Sequence, residues 1–275
     1  MTSRAPLHRL QPRSGWAAIN LRELWEYREL LLFQALRDIK IRYKQTVLGI
    51  AWAVIQPLMM MVVYTIFFGR LAKVPQNGPY AITTFCALLP WQLFASTLTQ
   101  SSNSLVDNAH LLTKVYFPRL IVPMSAMLGA LVDFAIAFVI LIGMMVWQGI
   151  APGWAILTLP IFLLLAMASA IGVGLWLSTL NVKYRDVRYT IPFLVQIWMI
   201  LSPVVYSSDL VKPPWRTLYA LNPMVGVVNG FKWALLGTAP PPGAMLLISS
   251  AATIVVLIGG LFFFRRGEKS FADVV

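Results

Sequence analysis

Residues 120–182 read LIVPMSAMLGALVDFAIAFVILIGMMVWQGIAPGWAILTLPIFLLLAMASAIGVGLWLSTLNV, and this run decides the fold. Asp133 is the only ionisable residue in it. At ~20 apolar residues per membrane crossing, the run is wide enough for two spans. Its middle, WQGIAPGW at 147–154, holds two Gly and one Pro between two Trp. Gly and Pro make the hairpin, and Trp prefers the depth of the membrane interface. The run is therefore two helices, about 121–147 and 154–181.

Working outward, four more charge-free runs stand at 47–69, 74–106, 189–208 and 233–264. The last becomes usable only after Pro240-Pro241-Pro242. The predicted spans are therefore 47–69, 80–104, 121–147, 154–181, 189–207 and 243–264. Composition agrees. Of 275 residues, 59% are apolar and only 12% charged, about half the ~25% of soluble globular chains. Mean hydropathy is +0.73. A soluble enzyme is excluded on that balance. Six spans also leave no room for a separate catalytic domain of ~100–150 residues. The fold class read here is an all-α integral membrane protein, one domain over 1–275.

The formal net charge is +12. In a soluble chain that would suggest nucleic acid. In a membrane chain it marks the cytoplasmic side. With the N-terminus inside, 17 of the 22 Lys+Arg fall in inside segments and 5 in outside loops. Both termini are therefore expected in the cytoplasm, as an even span count requires. No nucleic-acid partner is expected. The first ~18 residues are polar and basic, and no cleavable signal peptide is expected there.

Two segments are not ordinary loops. Residues 17–44 read as an amphipathic helix lying in the headgroup plane. Leu21, Leu24, Trp25, Leu31, Leu32, Leu36, Ile39 and Tyr43 share one face, and Arg37, Lys40 and Lys44 lie on the other. Residues 209–242 carry Pro213-Pro214, Asn222-Pro223 and Gly226, Gly230 and Gly237 around two short apolar stretches. These read as short external or re-entrant helices.

Catalytic signatures are absent. No G-x-x-x-x-G-K-[ST] run occurs, so the chain cannot form a phosphate-cradling P-loop. Cys86 is the only cysteine, and His8 and His110 are the only histidines. No metal site is expected from them. Asp133 is the one acid well inside a span, where an ionisable group suggests function. The alternative is a hydrogen bond to a neighbouring helix. A coupled secondary transporter usually needs more such groups or broken half-helices. The short loop DNAHLLTKVYFPR at 107–119 reads as a mixed helix, suited to a soluble partner or to simple connection.

Five stretches, in order, carry a resemblance to a known family: RDIKIRYKQTVLGIAWAVIQPL, KVYFPRLIVP, NVKYRDVRYTIPFLVQIWMILSPVVY, LNPMVGVVNGFKWALLG and FFRRGEKSFADVV. The chain resembles the membrane subunits of type-2 ABC exporters that move lipid-linked polysaccharides, the O-antigen, capsule and teichoic-acid group. The resemblance implies a transport subunit in the bacterial inner membrane and not an enzyme. It implies a homodimer with two copies of a separate ATPase, which would carry ATP and magnesium, and no cofactor on this chain. It implies that 107–119 couples to the ATPase. The candidate coupling residues are His110, Leu111, Leu112, Lys114, Tyr116, Phe117 and Arg119, with Arg185 and Asp186 of the next inside loop. It points to spans one and five as the channel wall. Their rings are Trp52, Tyr64, Phe67 and Phe68, and Phe193, Trp198 and Tyr206. Tyr64, Phe67 and Phe68 stand at i, i+3 and i+4, one helix face. An exporter of another lipid or amphiphile, and a polyprenyl-phosphate membrane enzyme, are the alternative readings.

Overall fold

A computed structural model describes residues 21–44, 49, 51–114, 117–268 and 271; for Leu21, Arg22, Glu23, Leu112 and Thr113 the side chains lie outside that description. Among the described residues the regular structure is all helical, without strands. In chain order the helices are α1 (Leu21–Glu26), α2 (Arg28–Lys44), α3 (Ala51–Tyr64), α4 (Tyr80–Asp107), α5 (Ala109–Lys114), α6 (Ile121–Trp147), α7 (Leu159–Lys183), α8 (Val187–Ile200), α9 (Trp215–Ala220), α10 (Pro223–Leu236) and α11 (Ala244–Glu268). α3 runs on as a wider π-type winding over Thr65–Leu71, and one 3-10 turn, Trp154–Thr158, leads into α7. Five helical stretches are long and apolar enough to cross a membrane: Ala51–Leu71, Tyr80–Asp107, Ile121–Trp147, Trp154–Lys183 and Ala244–Glu268.

The fifth predicted pass, 189–207, differs. Its helix, α8, has 14 residues and stops at Ile200. Pro203 is the reason, since it lacks an N–H and disfavours helix at the residue before it. The chain then continues in turns to Tyr206. This segment nevertheless runs the length of α4. Arg188 at its start pairs with Asp107 at the end of α4, at 3.2 Å. Val205 near its end accepts a hydrogen bond from the Tyr80 hydroxyl, at the start of α4. A 28-residue helix is about 42 Å long at 1.5 Å per residue, and 188–205 runs along it as helix to Ile200 and as turns from 201 onward, with the Arg188 and Tyr80 side chains closing the ends.

Carbonyls released by a helix that stops in apolar surroundings need donors. The Asn222 amide donates to Leu201 O at 3.0 Å, and the Lys232 ammonium donates to Pro203 O at 2.7 Å. Both donors belong to the 209–242 segment, which therefore plugs the broken pass. The Asn222 side chain also accepts from Met224 N at 3.0 Å and caps α10, with Pro223 in its first turn. Gly237 ends α10 in the left-handed region, φ 63°, where a glycine has no Cβ penalty. α10 is buried among α4, α7 and α11. A Cβ on Gly230 would fall 2.3 Å from the Phe162 ring, so only glycine lets α10 approach α7.

α7 is the hub. It packs along α4 on one side and α11 on the other. Between membrane helices the driving force is close van der Waals packing of small residues. A Cβ on Gly260 of α11 would sit 2.3 Å from the Gly172 carbonyl of α7. Asn181 of α7 bridges to Ser102 O and Asn103 Oδ1 of α4, each at 3.0 Å. One end of the bundle carries exposed Trp147, Trp154 and Trp215; it is called the aromatic end here. The other, bearing α5, Lys183, Arg185 and Arg265, is the basic end.

α2 does more than lie beside the bundle. Leu30 and Leu31 pack against the cluster holding Ile121 and Val122. Further along, Ile39 and Arg42 face Gly129, and Arg42 and Tyr43 bond to Asp133. Successive positions of α2 therefore meet successive positions of α6, and the two run side by side in the same direction. The expected single apolar face is split accordingly. Leu24, Leu31, Ile39 and Tyr43 turn inward, while Trp25, Leu32 and Leu36 stay exposed. Residues 17–20 lie outside the description.

Candidate functional site

α3, α4, α6 and α8 enclose a cavity of about 620 Å³, with Arg42 and Tyr43 of α2 joining the lining beside Asp133. Most of its wall is apolar: Met60, Leu88, Leu93, Phe134, Ala137 and Val195 among others. Into this wall project Gln56 of α3, Gln92 and Ser96 of α4, and Gln196 of α8. Gln92 and Ser96 are one turn apart, hence on one face. Among the described residues none of the three carboxamides has a hydrogen-bond partner. An unpaired amide in an apolar medium costs about 2–7 kcal/mol. Gln56 and Gln196 are exposed on the single subunit and Gln92 is half-buried, so the three amides stay accessible to water or to a polar ligand in the cavity.

One corner of the cavity is charged and internally satisfied. The Arg42 guanidinium donates to Asp133 Oδ2 and to Gln100 Oε1, and the Tyr43 hydroxyl donates to Asp133 Oδ1. Burial, then the adjacent Asp133 carboxylate, push the Tyr43 phenol up to about 12. It therefore remains a donor at any physiological pH. Asp133 is thus a helix-to-helix bond, as one of the two sequence readings had it, but its partner is a cation.

The structure does not bring the seven candidate channel rings onto one wall of the single subunit's cavity. Trp52 and Tyr64 line the cavity. Phe67 and Phe68 do not, and both are exposed. The π-type winding from Thr65 is the reason, because more residues per turn rotate Phe67 off the face that α-helical spacing assigns it. Phe68 makes an edge contact with Tyr64, ring centroids 5.8 Å apart. Phe193 is exposed on α8. Trp198 is structural: its indole donates to Asn222 Oδ1 at 2.9 Å and packs on Phe94. Tyr206 is held in the plug, donating to Ile200 O at 3.1 Å and contacting the Tyr219 hydroxyl.

The coupling candidates divide in the same way. His110, Lys114, Arg185 and Asp186 are exposed at the basic end. The Arg188–Asp107 pair ties their two loops together, and Arg37 of α2 donates to Asn108 Oδ1 at 2.7 Å. Leu111 packs inward, and Phe117, 7% exposed, sits in a core with Leu105, Ile121 and Phe264. Arg119 donates to the Glu268 carbonyl and lies over the Phe271 ring. Inward burial of Phe117 contradicts its placement on a docking face, since an aromatic beside Pro118 closes the turn into α6 instead. Tyr116 and the Leu112 side chain lie outside the description. Among the described residues no three His, Cys, Asp or Glu come together as a metal site would need.

Sequence reasoning missed the three glutamines. The signal was present: each is an amide in the middle of a charge-free run. Attention to charge alone passed over it.

Comparison with known proteins adds the family. The sequence model described as ABC-2 type transporter matches residues 30–236. The O-antigen export system permease protein RfbA of Myxococcus xanthus is 30% identical over 215 residues, covering 77% of this chain and 82% of the relative. Two proteins of the same name from Klebsiella pneumoniae are each 27% identical over 208 residues, covering 74% of this chain and 79% of theirs. The matched region runs from α2 to the end of α10 and so contains the cavity, the charged corner and the plugged pass. This chain belongs to the ABC-2 type transporter family.

Proposed function

We propose that the protein is the permease subunit of an exporter that moves a lipid-linked polysaccharide of O-antigen type across the bacterial inner membrane. The observation that carries this reading is the cavity. It is mostly apolar, and it holds unpaired amides together with aromatic rings that include Trp52 and Tyr64. A sugar polymer offers hydroxyls to the amides and C–H faces to Trp52 and Tyr64. Weak, repeated contacts let a chain slide, where a tight site would hold it. The curated relatives bear the name of O-antigen export permeases.

Energy comes from a separate ATPase. The chain carries no phosphate-cradling loop, and its exposed coupling residues cluster at the basic end. Two permease subunits pair through α3 and α8, whose exposed apolar side chains include Trp52, Met59, Phe67, Phe193 and Ile197. The basic end faces the cytoplasm, with both termini. An exporter of another amphiphile would not need amides on three separate helices.

The test is genetic and biochemical together. Removing the gene should abolish surface polysaccharide while its lipid-linked precursor accumulates inside. Restoring the gene should restore the polymer. The purified chain should hydrolyse no ATP until a partner ATPase is added. Surface polymer that persists without the gene would end this reading.

A further inference from the structure

We infer that the cavity is built for an uncharged, hydroxyl-bearing stretch of polymer, read by the carboxamides of Gln56, Gln92 and Gln196. The inference rests on the proposed export function and names the substrate class of that same cavity. Among the described residues Arg42 and Asp133 are the only charged ones in the lining, and they are paired with each other. The described lining therefore offers no free cation. An acidic sugar entering it would shed water against apolar walls and find no counter-charge, which is costly. A second copy of the chain would bring the same lining and the same deficit.

A carboxamide suits a hydroxyl in a way that a charged side chain does not. It offers two N–H donors and a carbonyl acceptor at once, and a sugar hydroxyl both donates and accepts. The three amides come from α3, α4 and α8, so they surround the occupant instead of touching one edge. None is consumed by a bond inside the subunit. Trp52 and Tyr64 supply the faces on which rings of the polymer rest.

The experiment replaces the chromosomal gene with variants and measures surface polymer by gel and by sugar composition. A deletion that leaves the polymer unchanged overturns the export reading, and this inference with it. If the deletion removes the polymer, the variants decide the inference alone. The Gln56→Leu/Gln92→Leu/Gln196→Leu protein, present in the membrane at the normal level and still dimeric, should lower surface polymer by about tenfold or more, since a site built to hydrogen-bond hydroxyls loses discrimination without its partners. The exported polymer should carry no uronic acid and no phosphate in its repeat. Normal export by the triple variant overturns the inference. An acidic repeat overturns it as well, and needs no variant. Loss of the dimer in the triple variant would assign the amides to subunit contact and overturn it too. Should the triple variant fail to reach the membrane, Gln92→Leu and Gln196→Leu are read singly on the same terms.

Discussion

Two residues change meaning once their surroundings are known. Asp133 is the lone acid of a long apolar run, yet it is bonded by Arg42 and Tyr43. Asparagine keeps its shape but offers an amide N–H₂ and no charge to the guanidinium. Asp133→Asn should therefore destabilise the purified protein by about 2 kcal/mol, the scale of a charge-assisted hydrogen bond. Thermal unfolding in detergent measures it. The double variant Arg42→Leu/Asp133→Leu should cost less than the two single variants added together; strict additivity would show that the pair is not coupled. Phe117 is the converse case. It lies in the core, so Phe117→Asp should lower the amount of protein in the membrane. Exposed Lys114 and Arg185 should behave otherwise. Lys114→Glu and Arg185→Glu should leave the subunit folded and weaken pull-down of the ATPase. Equal loss of folding in all three would remove the distinction between core and docking face.

At the scale of elements, the broken pass shows where sequence reading ends. Long apolar runs gave α6 to the residue and α4, α7 and α11 to within a few residues at each end, because length and apolarity alone settle a spanning helix. The hairpin at 147–154 followed from Gly, Pro and Trp. The short α8 and its irregular continuation did not, although Pro203 was in view. What completes that pass is a set of donors, Asn222 and Lys232, lying 20 and more residues downstream, and no local pattern links a carbonyl to a donor so far away. The π-type winding after Tyr64 was equally hidden, and two of the four rings of span one, Phe67 and Phe68, lie outside the single subunit's cavity. The cavity was legible only in part: Trp52 and Tyr64 were named, while the amides that set its polarity were not. The plug supplies its own prediction. Lys232 is buried and donates to Pro203 O. Lys232→Met leaves that carbonyl unpaired and should destabilise the protein by about 1–3 kcal/mol, read as a lower unfolding temperature. Lys212 is exposed on the same segment, and Lys212→Met should change nothing. Equal stability of the two variants would mean that the broken end of α8 is held by something else.

At the scale of the whole molecule, one count governs the arrangement. Five helical stretches are long and apolar enough to cross a membrane, and an odd number of crossings would leave the two ends of the chain on opposite sides. α8 alone is about 21 Å long at 1.5 Å per residue, short of a hydrocarbon core of ~30 Å. The chain from Arg188 to Val205 nonetheless covers α4 from end to end through the Asp107 pair and the Tyr80 bond. Wherever α4 crosses, this segment crosses with it. We propose that the crossings are then six and that the ends share a side, the one richer in Lys and Arg. Single cysteines in a Cys86→Ser background test this in intact cells with a membrane-impermeant maleimide. Ile150→Cys and Lys212→Cys should label from outside. His110→Cys and Asp186→Cys should label only after the membrane is opened. The decisive pair is 186 and 212, which flank the broken pass. Labelling of both from one side would show that the segment turns back without crossing, and the carbonyls held by Asn222 and Lys232 would then line a re-entrant loop.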